Sequence, residues 1–338
     1  MPGIIACDIH PGKRALAQSS LFDPQSAKKL PPAIFLLGPT AAGKSGLALD
    51  LAQNLPLEIV SVDSAQVYRH MDIGTAKPSL SIRATTPHHL VDIVPPDHAY
   101  SAGQFRRDAL SAMQVISSRG NVPLLAGGTM LYFKVLREGL NKLPEADPKL
   151  RAEIDSRAAE HGWAQLHREL AGLDPSAAQR IEPNDSQRIQ RALEVCQLTG
   201  RAFSEILHEH KAVRFPYRAV ALALVPSERS QLHQRIATRF THMLQLGLIE
   251  EVRWLRENFT LTADMPSMRS VGYRQAWHYL DGEFDLAALA EQAFAATRQL
   301  AKRQLTWIRA MRDAQCFDSF APDLQSQVRR FVLQRLET

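Results

Sequence analysis

Residues 38–45 read GPTAAGKS, the spacing G-x-x-x-x-G-K-[ST]. Each residue type in that pattern serves anion binding. Glycines let successive backbone amides turn toward a phosphate, Lys44 supplies a point charge, and the Ser45 hydroxyl can ligate Mg²⁺. A nucleoside triphosphatase would also need an acid at the end of a second buried strand to hold that ion. The obvious strand, VPLLA (122–126), runs instead into Gly127-Gly128-Thr129, and the acid stands at Asp63, after LEIVSV (57–62). Asp63 beside the loop can be a metal ligand or a general base, and the residues alone leave both open.

These groups need elements to hold them. AIFLL (33–37) predicts a strand feeding the loop, and Gly43–Asn54 a helix leaving it. LEIVSV, a short run HLVDI (89–93), VPLLA and YRAVALAL (217–224) predict further strands. The stretch 101–120 predicts a helix capped by Ser101 and stopped by Gly120. Strands alternating with helices argue for a parallel sheet covered on both faces. The expected fold class is therefore α/β, a phosphate-loop type parallel sheet with an all-helical insertion and a helical C-terminal part. Residues 33–139 and 214–338 form the expected core. Residues 140–213 form the insertion, opened by Asp147-Pro148 as cap and first-turn proline. Its helix at NDSQRIQRALEVCQLTG closes on Gly200. From 227 onward the chain reads as helical.

The chain has 338 residues, 45% hydrophobic and 22% charged, which is a globular composition with room for two domains. Its net charge of +5 suits either a solvated basic surface or a polyanion partner. Cys7, Cys196 and Cys316 form no CxxC pair, so a reducing compartment fits and a zinc ribbon does not. No apolar run approaches a membrane span. Residues 1–32 lack a signal-peptide core and read as a disordered extension or an upstream start.

Beyond the loop, longer segments resemble one family. GPTAAGKS, SVDSAQVYRHMDIGTAKP, PHHLVDI, YSAGQFRRDAL, LAGGTMLYFKVLREGL, NDSQRIQRALEV, MRSVGYRQAWHYLDG and ATRQLAKRQLTWIR are similar to those of bacterial tRNA dimethylallyltransferases, from about 33 to 318. Departures are small. Ala42 and Ser45 replace the more usual Ser and Thr of the loop, and His70 stands where Gly is more usual.

The resemblance implies transfer of a dimethylallyl group from dimethylallyl diphosphate to the exocyclic amine of adenine 37 in tRNA. The loop would then hold a leaving diphosphate. By the same resemblance Asp63 is the general base, and Thr40 and Arg239 act on the diphosphate. The cradle is Gly38, Pro39, Thr40, Ala41, Ala42, Gly43, Lys44 and Ser45, with Mg²⁺ as cofactor through Ser45. An aromatic amine is a poor nucleophile, so a base within hydrogen-bond reach suits the chemistry. In 228–244, Leu232, Ile236, Phe240 and Met243 form a core face, and Arg235 and Arg239 share another.

Position 37 lies beside the anticodon, so its base must leave the stack to reach Asp63. The family implies RNA contacts at Asp63, Ser64, Ala65, Gln66, Thr129 and Arg151. It implies them also at Gln187, Arg188, Ile189, Gln190 and Arg191. A third segment is Arg269, Ser270, Val271, Gly272, Tyr273 and Arg274. A fourth is Lys302, Arg303, Gln304, Leu305, Thr306, Trp307, Ile308 and Arg309. In a helix over 286–312, Leu286, Leu289, Ala293, Leu300, Trp307 and Met311 fall in one sector, the expected core face. Arg298, Lys302, Arg309 and Arg312 fall opposite, a basic stripe about 20 Å long. The insertion is expected to be a mobile arm closing on the anticodon stem. The partners expected are the tRNA anticodon stem-loop and dimethylallyl diphosphate, with no membrane, in a monomer of the bacterial cytoplasm. A small-molecule kinase or an adenylate prenyltransferase would share the loop but lack the SQRIQR and RSVGYR segments. A non-catalytic RNA-binding module would gain nothing from Lys44 and Asp63.

Overall fold

The structure is a computed structural model that describes residues 30–141, 143–209 and 214–337. Most of the expected N-terminal extension therefore lies outside the described residues. The described chain divides into two compact units, residues 138–214 and the chain on either side of them.

The larger unit is built on a parallel sheet of six strands in the order β3-β2-β4-β1-β5-β6. The strands are β1 (Pro32–Leu37), β2 (Leu57–Val62), β3 (His88–His89), β4 (Val122–Gly127), β5 (Arg218–Val225) and β6 (Gln315–Asp318). In β1 residues 33–37 are buried, as are all six residues of β2, which is the near-continuous burial of strands covered on both faces. One core lies under Phe35, Phe133, Phe105 and Tyr273. The other packs Ile34, Leu51 and Leu124 against Val328 and Val332.

Two expectations change. The run at 89–93 is a strand only at His88–His89, because Leu90 and Asp92 adopt φ of 61° and 58° and break the ladder. The C-terminal part is not purely helical, since β6 adds an edge strand beside β5.

Register positions the site. Leu37 pairs with Gly127, and Gly127 pairs with Val62. The next residues, Gly38, Gly128 and Asp63, therefore leave the sheet side by side at the carboxyl ends of neighbouring strands. Open parallel sheets bind ligands in this crevice. Gly127 is required there, because a Cβ would lie 2.0 Å from the Val62 carbonyl oxygen.

Helix α1 (Lys44–Asn54) follows the loop, and α2 (Leu80–Thr85) precedes β3. Helix α3 (Ala102–Ser118) has a full capping box between Ser101 and Gln104. Helix α4 (Met130–Glu138) follows β4.

The 138–214 unit contains α5 (Pro148–His161), α6 (Trp163–Leu173), α7 (Pro175–Ala178), α8 (Ser186–Thr199) and α9 (Phe203–His208) around its own apolar core. Asp147 caps α5 by accepting the Lys149 amide, and α8 ends on Gly200 at φ 67°.

After β5 come α10 (Arg229–Gln245), α11 (Leu248–Asn258), α12 (Tyr273–Leu280), α13 (Leu286–Ala310) and α14 (Leu324–Leu336). Asp285 caps α13 at the Ala288 amide, 2.8 Å away. The buried face of α13 is broader than the expected sector and turned toward Ala301, Leu305 and Ile308. Leu286 and Trp307, expected in the core, are 50% and 39% exposed. No helix among the described residues is long and apolar enough to cross a membrane.

Candidate functional site

The phosphate loop turns sharply between β1 and α1. Ala41 and Gly43 take φ of 64° and 86°. Left-handed residues at such spacing aim backbone amides at one point, which makes an anion nest. The Ala41 conformation costs free energy that a glycine would not lose, so the turn is held from outside. Lys44 Nζ donates to the Pro39 carbonyl at 2.7 Å and so folds back over the loop. The residue as a whole is half-buried, but its ammonium is enclosed. Burial, helped by the nearby Arg239 guanidinium and opposed by Asp63, pushes its pKa down to about 7.

Asp63 follows β2 and is half-buried. Its Oδ1 accepts the amides of Ala65 at 2.8 Å and Gln66 at 3.3 Å. This Asx turn fixes the carboxylate. Thr129, which follows the Gly127-Gly128 pair, accepts the Ser64 amide at 3.0 Å through Oγ1 and donates to Ser64 Oγ at 3.3 Å. Gln66 faces inward. Its Oε1 accepts from Ser61 Oγ and its Nε2 donates to the Thr75 carbonyl.

Arg239 projects from α10 toward Asp63. Burial lowers its pKa and the Asp63 charge opposes that shift. A guanidinium keeps its proton in such a setting, so the cation persists. Thr40, Asp63 and Arg239 line one cavity of about 480 Å³, which Leu131, Arg303 and Trp307 line as well. A smaller space of about 120 Å³ shares those three residues and reaches Lys44 and Ser45.

The structure sorts the expected RNA contacts. Asp63, Ser64, Ala65, Thr129, Arg269, Ser270, Val271, Arg303, Gln304 and Trp307 line the large cavity. Lys302, Thr306 and Arg309 are exposed on α13, as Arg274 is on α12. Ile189, Tyr273, Leu305 and Ile308 are turned into cores, so their side chains present no face to RNA. Gly272 is also buried, at φ 95°. Gln304 is buried too and bonds to backbone on both sides: it accepts the Thr40 amide at 2.8 Å and donates to the Gly128 carbonyl at 2.9 Å.

In the 138–214 unit, Arg151 grips the buried Glu194 through Nε and Nη2 at 2.9 and 3.0 Å. Arg191 donates to the same carboxylate and to the Pro144 carbonyl. Gln190 bonds to Asp155, while Gln187 and Arg188 are exposed. Burial alone would raise the Glu194 pKa, but these two arginines and the Asp147 amide lower it below its ordinary value.

Glu251 is a residue that sequence reasoning missed. From α11 it accepts the amides of Asp72 and Ile73 at 3.0 and 2.8 Å and the Tyr273 hydroxyl at 2.5 Å. It thereby fixes the loop that carries Gly74 and Thr75 into the cavity wall. Its position was a usable signal. Leu248, Val252 and Leu255 form the buried stripe of α11, and Glu251 lies within that stripe.

Known proteins share both this sequence and this fold. A family model described as IPP transferase matches residues 66–311. A tRNA dimethylallyltransferase of Nitrosomonas eutropha is 57% identical over 302 residues, covering 89% of this chain and 95% of that protein. The full-length tRNA isopentenylpyrophosphate transferase of Bacillus halodurans has a similar structure, with TM-score 0.67 and 35% identity over 91% of this chain and 97% of that one. A eukaryotic dimethylallyltransferase solved acting on tRNA gives TM-score 0.75 at 27% identity, covering 90% of this chain and 79% of that one.

Proposed function

The chain belongs to the IPP transferase family, and from that premise we propose that it transfers a dimethylallyl group from dimethylallyl diphosphate to the exocyclic amine of adenine 37 in tRNA. One observation carries the reading. Thr40 of the phosphate loop, the Asp63 carboxylate and the Arg239 guanidinium share a single cavity. A base and an anion clamp facing the same space suit a displacement in which a nucleophile loses a proton as a diphosphate departs.

In this reaction the adenine nitrogen forms a bond to the allylic carbon while the carbon–oxygen bond to diphosphate breaks. The amine proton passes to Asp63. One Asp63 oxygen is held by the Ala65 and Gln66 amides. Oδ2 carries no hydrogen bond among the described residues and is the oxygen that takes the proton. Negative charge grows on the departing oxygens, and Lys44, Arg239 and the loop amides stabilise it.

A magnesium ion fits the donor set. Ser45 lines the smaller space with a hydroxyl oxygen, and Mg²⁺ takes few protein ligands, its shell being completed by waters and substrate phosphates. When bound, the ion neutralises charge on the diphosphate.

RNA is held in this reading by Arg269 at the cavity wall and by Lys302 and Arg309 on α13. The 138–214 unit is the arm that engages the anticodon stem, through Gln187, Arg188 and the arginine pair on Glu194. Cys196 and Cys316 are buried and form no disulfide among the described residues, which suits the bacterial cytoplasm proposed here.

The test supplies labelled dimethylallyl diphosphate and Mg²⁺ with either unmodified tRNA or AMP. Label on tRNA alone is expected. Label on AMP but not tRNA would make this an adenylate prenyltransferase, and transfer to neither would refute the proposal.

A further inference from the structure

We infer that Gln304 is a positioning residue for the diphosphate site, and that its side chain does not read RNA. The inference rests on the proposed transfer reaction and concerns how α13 contributes to it.

Gln304 stands one turn from Leu300 and from Trp307; all three line the large cavity, and Gln304 also lines the smaller space. Unlike its neighbours Arg303 and Trp307, it is buried, with only 6% of its surface exposed. Its side chain runs between two loops. Oε1 accepts the Thr40 amide at 2.8 Å, and Nε2 donates to the Gly128 carbonyl at 2.9 Å. One partner is a backbone donor and the other a backbone acceptor. A side-chain amide is the group that meets both needs at once, since a carboxylate cannot donate and an ammonium cannot accept. Because both partners are backbone groups of fixed polarity, they also fix which way the amide points.

The surroundings are shaped to this side chain. A Cβ at Gly128 would lie 2.4 Å from Gln304 Nε2, so residue 128 must be glycine for the amide to reach its carbonyl. Gly128 and Gly38 leave neighbouring strands side by side, and Gln304 bridges the segments that follow them. Thr40, the residue it holds, lines both the large cavity and the smaller space that reaches Lys44 and Ser45. Ala41, the next residue, adopts φ 64°, a conformation that persists only when its surroundings impose it. Gln304 supplies that constraint from outside the loop. Without it the Thr40 amide loses its acceptor, and the loop can relax away from the geometry that converges on an anion.

The test uses the full chain with Gln304→Met, which keeps length and bulk but has neither bond, and Gln304→Ala as a second variant. Three quantities are read: the inhibition constant of inorganic diphosphate, the KM for dimethylallyl diphosphate, and the Kd of an unmodified anticodon stem-loop without the diphosphate substrate. The first two are expected to rise about tenfold in Gln304→Met, with stem-loop affinity within twofold of wild type. Weaker stem-loop binding, alone or together with weaker diphosphate binding, would overturn the inference, as would wild-type values throughout. Should Gln304→Ala fail to fold, Gln304→Met decides. If the wild-type protein transfers no label to tRNA, the functional reading falls. The comparison of diphosphate affinity still decides the role of Gln304.

Discussion

Asp63 Oδ1 accepts the Ala65 amide at 2.8 Å, so the carboxylate is anchored by the turn that it itself creates. That bond leaves Oδ2 available as the proton acceptor that the proposed reaction requires. Asp63→Asn keeps an oxygen for the Ala65 amide but removes the base. We expect kcat to fall by about 10²–10⁴-fold, the usual worth of a general base, with stem-loop affinity nearly unchanged. Single-turnover transfer and filter binding measure the two separately. A parallel collapse of affinity would make Asp63 a binding residue.

Lys44 should give the proposed diphosphate site a pH dependence. Burial puts its ligand-free pKa at about 7, whereas a bound anion favours the charged form. Below that value the ammonium is already protonated and binding takes up no proton there. Above it, binding must take up a proton, so diphosphate affinity falls as pH rises, by at most about tenfold per unit from this group. Diphosphate titrates as well, so the measurement is the difference between wild type and Lys44→Arg, whose cation does not titrate. Calorimetry in buffers of different ionisation heat should show proton uptake at about pH 8 that Lys44→Arg lacks.

Lys302 and Arg309 are exposed on the same helix that carries Gln304. Replacing both with Gln should weaken stem-loop binding and reduce the slope of log K against log salt by about one for each phosphate left without its cation. Titrations between roughly 50 and 200 mM salt, the range where such charges are felt, test this. An unchanged slope would remove this face from the interface.

Glu251→Ala takes the acceptor from the Asp72 and Ile73 amides and from the Tyr273 hydroxyl. Stability should fall by about 2 kcal/mol, seen as a lower denaturant midpoint at constant slope. Tyr273→Phe removes only one of these bonds and should cost about 1 kcal/mol.

Two glycines should respond in opposite ways to the same methyl group. Gly127→Ala places a Cβ 2.0 Å from the Val62 carbonyl and must push β2 from β4, so severe destabilisation or insoluble protein is expected. A Cβ at Gly46, inside α1, would meet nothing within 4 Å. Gly46→Ala should therefore stabilise by about 0.5–1 kcal/mol through helix propensity. Thermal melts of the pair check both.

The sheet was legible in the sequence where strands are buried on both faces. LEIVSV, at 57–62, forms β2 with those bounds, and AIFLL lies within β1. Legibility failed where backbone conformation overrides pattern. HLVDI carries the right residue types, but positive φ at Leu90 and Asp92 ends the strand after His89. On α13 an angular plot finds an apolar sector, but it does not say that Leu300 and Trp307 face a cavity, or that Gln304 lines it while almost fully buried. The loop at 38–45 and Asp63 could be picked out because the pattern that marks them is local, and the fold places them on one cavity. Arg151 and Arg191 could be named but not explained, since Glu194 joins them only in the folded unit. Glu251 and Gln304 act on backbone more than 170 residues away in the chain, a relationship that spacing does not encode.

The shared ladder of β1, β2 and β4 also governs how this chain can change length. These strands have six residues each and finish level with one another. Insertions before Leu57 or Val122 only lengthen a connection and leave the far rim as it is. One residue inserted within β2 would turn every later side chain to the opposite face, because side chains alternate with a period of two. Asp63 would then leave its neighbours Gly38 and Gly128. Natural variation and engineered insertions should therefore accumulate at the end of the sheet remote from the reacting groups.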